Sequence, residues 1–158
     1  MWRRFFCTAS LLWAGNVLAG ANDVVVDQAW MRESVPGQTS ATVQLNLYVI
    51  KPSRLIAVSS PVAASGEIQG VVMSRGKMKT EAVESLQLKP HSNVIFGTRG
   101  MYLVLVGLKR AINEGEQIPV SLVIDVAGKR QTVEILAEVK ALELSYKHYQ
   151  DPAVKDHR

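Results

Sequence analysis

Thr42-Val43-Gln44-Leu45-Asn46-Leu47-Tyr48-Val49 alternates apolar and polar side chains without a break. A period of two sends successive side chains to opposite faces of an extended chain, so the segment predicts a half-buried strand with Val43, Leu45, Leu47 and Val49 inward. Working outward, Val133, Ile135, Ala137 and Val139 alternate with Thr132, Glu134 and Glu138, and Val120, Leu122, Ile124 and Val126 repeat the pattern. Residues 55–59 and 68–73 are shorter runs rich in β-branched side chains, and residues 101–106 are nearly all apolar, as a central strand requires. Between these lie the punctuation marks of hairpins: Pro36-Gly37, Pro52-Ser53, Ser74-Arg75-Gly76-Lys77, Arg99-Gly100, Asn113-Glu114-Gly115 and Ala127-Gly128-Lys129. No convincing helical repeat precedes Val139. Two sheets packed face to face bury such strands without helices, so the prediction is an all-β, Greek-key β-sandwich.

The flanks of this core differ in composition. Arg3 and Arg4 precede an apolar run from Phe5 to Trp13, and the small residues Val17-Leu18-Ala19 and Ala19-Gly20-Ala21 follow it. The run is too short to span a bilayer, and the order is that of a cleaved export signal. Residues 1–21 are therefore read as a signal peptide, residues 22–139 as the domain and residues 140–158 as a polar tail. Periplasmic localisation is the expectation. Cys7, the only cysteine, sits inside the apolar run without the small-residue box that precedes a lipidated cysteine, so anchoring through it is not expected. The domain then has neither disulfides nor thiolate ligands. Of 18 basic groups, losing Arg3 and Arg4 leaves 16 against 14 acidic ones, a net charge of +2. With no Lys/Arg cluster interleaved with aromatics, no nucleic-acid partner is expected. No later segment is apolar enough to embed in a membrane.

Chemistry is sparsely represented. His91 sits in the turn Lys89-Pro90-His91-Ser92-Asn93, while His148 and His157 lie in the tail. No phosphate loop, nucleophile elbow, paired-histidine motif or calcium loop occurs, and the chain is not read as an enzyme. Soft ligands remain. Met73 and Met78 flank the turn Ser74-Arg75-Gly76-Lys77, where a simple hairpin opposes them on one face, and thioether sulfur suits Cu(I). An apolar cross-strand pair is the plainer reading of the same two residues.

Residues 26–32 (Val26-Asp27-Gln28-Ala29-Trp30-Met31-Arg32), Ser59-Ser60-Pro61-Val62-Ala63, Gly66-Glu67-Ile68, Gly76-Lys77-Met78-Lys79, Leu88-Lys89-Pro90, Leu105-Val106-Gly107-Leu108-Lys109 and Glu114-Gly115-Glu116-Gln117-Ile118-Pro119-Val120 resemble, in order and spacing, the periplasmic copper chaperone family PCu(A)C. The resemblance runs from about Val24 to Val139. It implies a cupredoxin-like fold and, for the family, Cu(I) held by two histidines and two methionines: a His, ten residues, a Met, twenty-one residues, then His-x-Met. In register, these positions fall on Gln69, Thr80, Tyr102 and Val104. None of the four is a soft ligand. The resemblance thus implies a degenerate site, which the bulk of Tyr102 and Val104 is expected to pack shut, with Gln69, Thr80 and Tyr102 hydrogen-bonded as a polar cap.

The function expected is that of an exported accessory or binding protein in copper handling, whose partner is a periplasmic or membrane-bound copper protein and which has no firmly bound cofactor. Two alternatives stay open: a weak Cu(I) chaperone using Met73 and Met78, and a metal-free protein-interaction module.

Overall fold

Alternation decides which face each strand buries, and the computed structural model, which describes residues 23–98 and 100–142, is built from ten strands with no helix among those residues. They are β1 (Val24–Arg32), β2 (Ser40–Val49), β3 (Ser53–Ser59), β4 (Ala63–Ser74), β5 (Lys77–Val83), β6 (Leu86–Leu88), β7 (Ser92–Phe96), β8 (Met101–Leu108), β9 (Gln117–Val126) and β10 (Lys129–Lys140). In β2 the four apolar positions are at most 2% exposed, whereas Tyr48 on the other face is 37% exposed. Residues 1–21, read above as a signal peptide with Cys7 inside it, and His148, His157 and most of the tail lie outside the described residues.

The hydrogen-bonded order is β5-β4-β8-β2-β1-β10-β9-β3-β6, with β7 joined to β2. This path doubles over on itself. Leu45, Phe96, Leu103 and Leu105 from the β4-β8-β2-β7 half share one buried cluster with Leu55, Ile118, Leu122 and Ile124 from the β10-β9-β3 half. Two layers around one core make the sandwich that the sequence predicts. β1 is the seam: it runs antiparallel to β2 and parallel to β10, pairing Met31 with both Val43 and Val139. At the opposite border β3 and β4 pass close together without a ladder. The turn between them is fixed by Ala63 N–H donating to the Ser60 carbonyl at 3.2 Å and tied to β9 by Ser60 Oγ donating to the Pro119 carbonyl at 2.6 Å.

Four strands escaped the periodicity, each for a physical reason. β5, implied only as the partner of a hairpin, is exposed on both faces and so shows no apolar alternation. In β1 a bulge at Gln28, whose φ is 52°, shifts the register between Asp27 and Trp30. Val24 is buried on one parity and Met31 on the other, so no continuous alternation is visible. β6 has three residues and β7 five, too few for a period to show. The loop before β9 is fastened by Glu116, whose carboxylate accepts from Asn113 N–H at 2.9 Å and pairs with Arg110 at 2.7 Å. The Asn113 backbone bond first, and Arg110 second, hold this carboxyl below its ordinary range.

Candidate functional site

The β4–β5 hairpin turns on Arg75 and Gly76, with φ of 50° and 75°. Positive φ at both central positions is the type I′ geometry, which glycine enters freely and which matches strand twist. The turn sets Ser74 opposite Lys77 and Met73 opposite Met78. Ser74 and Lys77 form the hydrogen-bonded pair that closes a two-residue loop, so Met73 and Met78 form the next, non-hydrogen-bonded pair, with Cα atoms about 4.5 Å apart. The same phase appears on the far side of β4, where Val71 N–H donates to the Gly100 carbonyl at 2.8 Å.

β8 lies beside β4 with Gln69 opposite Tyr102 and Glu67 opposite Val104, while Thr80 on β5 faces Val71. Opposed residues of antiparallel strands share a face, and alternate residues keep it. Gln69, Thr80, Tyr102, Val104, Met73 and Met78 are thus all on one side of the β5-β4-β8 sheet. It is the outer side, because Ile68, Leu103 and Leu105, which alternate with them, are buried in the core.

That placement corrects two expectations. The site does not pack shut at Thr80 and Tyr102, which with Val71, Met78, Lys79 and Gly100 line an open concavity of about 540 Å³. Among the described residues no second layer covers this outer face, so bulk at Tyr102 and Val104 has no sheet to close against. The polar cap does not form either. The Gln69 amide donates to Glu67, two residues along its own strand, at 2.9 Å rather than reaching Tyr102 or Thr80.

The methionine pair is equally open. Met73 and Met78 are each 73% exposed, so they do not fill a gap in the core. His91, by contrast, adjoins the Val49 end of β2 through the Val49–Ser92 pair, whereas Tyr102 shares a concavity with Gln44. Five residues of strand separate Gln44 from Val49, about 17 Å. His91 faces Tyr48, with Nδ1 3.5 Å from the phenol oxygen, and takes no part in the sulfur pair. No group of three His, Cys, Asp or Glu that could hold a metal ion occurs among the described residues. Sequence reasoning passed over the cations of the hairpin: Lys77 and Lys79 alternate with Met78 and with Ser74 and Arg75 line a basic concavity at the tip, and Lys79 also borders the concavity that holds Thr80 and Tyr102. The alternation was the available signal.

A copper-bound PCuAC domain from PmoF2 is 23% identical, covering 76% of this chain and 94% of that one, with a TM-score of 0.61. The apo PCuAC domain from PmoF1 is 21% identical over 76% and 95%, with a TM-score of 0.62. Apo-DR1885 from Deinococcus radiodurans is 22% identical over 90% and 95%, with a TM-score of 0.57. Likeness at these identities establishes the fold, which is the cupredoxin-like sandwich of PCuAC domains. No curated relative matches the chain. The LpqE-like lipoprotein family model matches residues 24–137, from the first residue of β1 into β10. A match over well more than half of the sequence, on a domain of PCuAC shape, places the chain in the LpqE-like family.

Proposed function

We propose that this chain is an exported accessory protein of copper handling whose own four-ligand Cu(I) site has been replaced, and that it works by engaging a periplasmic or membrane-bound copper protein. The observation that carries the reading is the juxtaposition of Gln69 and Tyr102, with Val104 and Thr80 on the same open face of a PCuAC-shaped sheet. Those positions retain the neighbourhood of a surface metal site without its donors. A Cu(I) titration against a competing chelator tests it. Weak or absent binding is expected, and tight stoichiometric binding by the unaltered protein overturns the proposal.

A second reading is favoured by the opposed, exposed thioethers of Met73 and Met78. Two sulfurs across a non-hydrogen-bonded pair can reach one Cu(I) ion. Arg75, Lys77 and Lys79 at the same hairpin tip raise the cost of a bound cation, so any such site is weak. Replacing both residues, Met73→Leu with Met78→Leu, is expected to abolish residual Cu(I) binding. Stability should change by no more than about 0.5 kcal/mol per position, because both side chains face solvent. Residual binding that survives the double replacement points to other ligands, His91 or the tail histidines.

Export is part of the proposal. Signal cleavage is expected after Ala19 or Ala21, and mass spectrometry of the periplasmic form measures it. A mature N-terminus at Met1, or recovery in membranes with Cys7 acylated, overturns this assignment.

A further inference from the structure

β5 is a sheet edge whose one safeguard is its charged side chains, Lys77, Lys79 and Glu81. It runs for seven residues, pairs with β4 from Ile68–Val83 to Ser74–Lys77 without a register shift, contains no proline and is the terminal strand of the order. Every residue but Val83 is exposed. The opposite edge, β6, is blunted by being only three residues long. We propose that β5 pairs antiparallel with β5 of a second copy of this chain, about a two-fold axis through Thr80, to make one continuous sheet.

Hydrogen-bond phase restricts the choices. Lys77, Lys79 and Glu81 turn their N–H and C=O groups toward β4, which leaves those of Met78, Thr80 and Ala82 pointing outward. A two-fold pairing must join members of that outward set, so its centre lies at one residue from 78 to 82. Charge then selects among the five centres. Centring on Met78 sets Lys77 against Lys79 of the other copy, centring on Lys79 or Glu81 opposes each to itself, and centring on Ala82 leaves both charges without a complement. Centring on Thr80 sets Lys79 against Glu81 of the other copy twice, opposes Met78 to Ala82, and joins all three outward residues. It is the register with two opposite-charge pairs and no like-charge pair. The arrangement is isologous and closed, as a two-fold requires. It holds whether or not either copy binds copper.

Cross-linking tests the register. In a Cys7→Ser background, Thr80→Cys should give a disulfide-linked dimer in high yield under mild oxidation, because residue 80 meets itself at the axis. Ala82→Cys, four residues out of register with itself and about 13 Å away, should not. Sedimentation of the uncross-linked protein tests the charges. Lys79→Glu creates two like-charge pairs per dimer and should weaken association at least about tenfold, and adding Glu81→Lys should restore it. Both residues are exposed, so folding is not at stake. A monomer at all concentrations, equal cross-linking at 80 and 82, or a charge swap that fails to rescue overturns the proposal.

Discussion

Gln69→His, Thr80→Met, Tyr102→His and Val104→Met together should convert the protein into a tight Cu(I) binder, gaining affinity on the order of a thousandfold or more over the unaltered chain. The register makes the contributions unequal. Gln69 and Tyr102 oppose each other directly in a hydrogen-bonded pair, about 5.5 Å between Cα atoms, so two imidazoles there can converge on one ion without backbone movement. Val104 is diagonal to Gln69, about 7–8 Å off and within reach of a methionine. Thr80 is two strands from Tyr102, about 10 Å across the sheet, and its long thioether must lean over Val71 and Gly100, a place glycine leaves open. The triple variant lacking Thr80→Met should therefore keep most of the gain. The competing-chelator titration reads each variant. If the quadruple variant binds no more tightly than the starting protein, the four positions do not form a metal-site scaffold, and the reading of a replaced site fails with them.

Gly66→Ala should be the most damaging single methyl addition in β4. A Cβ on Gly66 would run into the Val58 carbonyl oxygen, and would lie 2.8 Å from the Val58 carbonyl carbon and 2.9 Å from Val58 Cγ1. The obstacle is mainly backbone of β3, at the border where the two layers approach without a ladder, so it cannot be relieved by rotating a side chain. Relief requires β3 and β4 to separate, which also disturbs Val58 and Ile68 in the core. A loss of about 3 kcal/mol or more is expected, lowering Tm by roughly 10 °C. Gly70→Ala is the control on the same strand: its Cβ would meet nothing nearer than the Met101 sulfur at 3.6 Å, an ordinary contact, and its effect should stay within about 1 kcal/mol. Thermal unfolding of the two variants side by side decides the matter. Equal stabilities would mean that the close passage of β3 over Gly66 is absent in solution.

The sequence alone determined the layers and what they bury. Alternation, unbroken in β2 and interrupted only at Val123 in β9 and Leu136 in β10, assigns their inward residues because a period of two leaves no other face. Ser74-Arg75-Gly76-Lys77 and Ala127-Gly128-Lys129 mark turns because glycine enters positive φ freely, although the type I′ form of both is seen only in the structure, where both central residues take positive φ. The opposition of Met73 and Met78, and the row containing Gln69 and Tyr102, were likewise legible, the first from hairpin arithmetic and the second from the resemblance. Only the tertiary structure decided which side of the sheet those residues occupy. Alternation distinguishes two faces but does not say that one faces a second layer and the other faces water, and here that difference turns an expected plugged pocket into an open surface. The bulge at Gln28 hid β1 for a related reason: burial there is set by two neighbouring strands, β2 and β10, that are distant in sequence. The free edge of β5 is likewise a property of strand order, which follows from how the two layers close around the core and from no local run of residues.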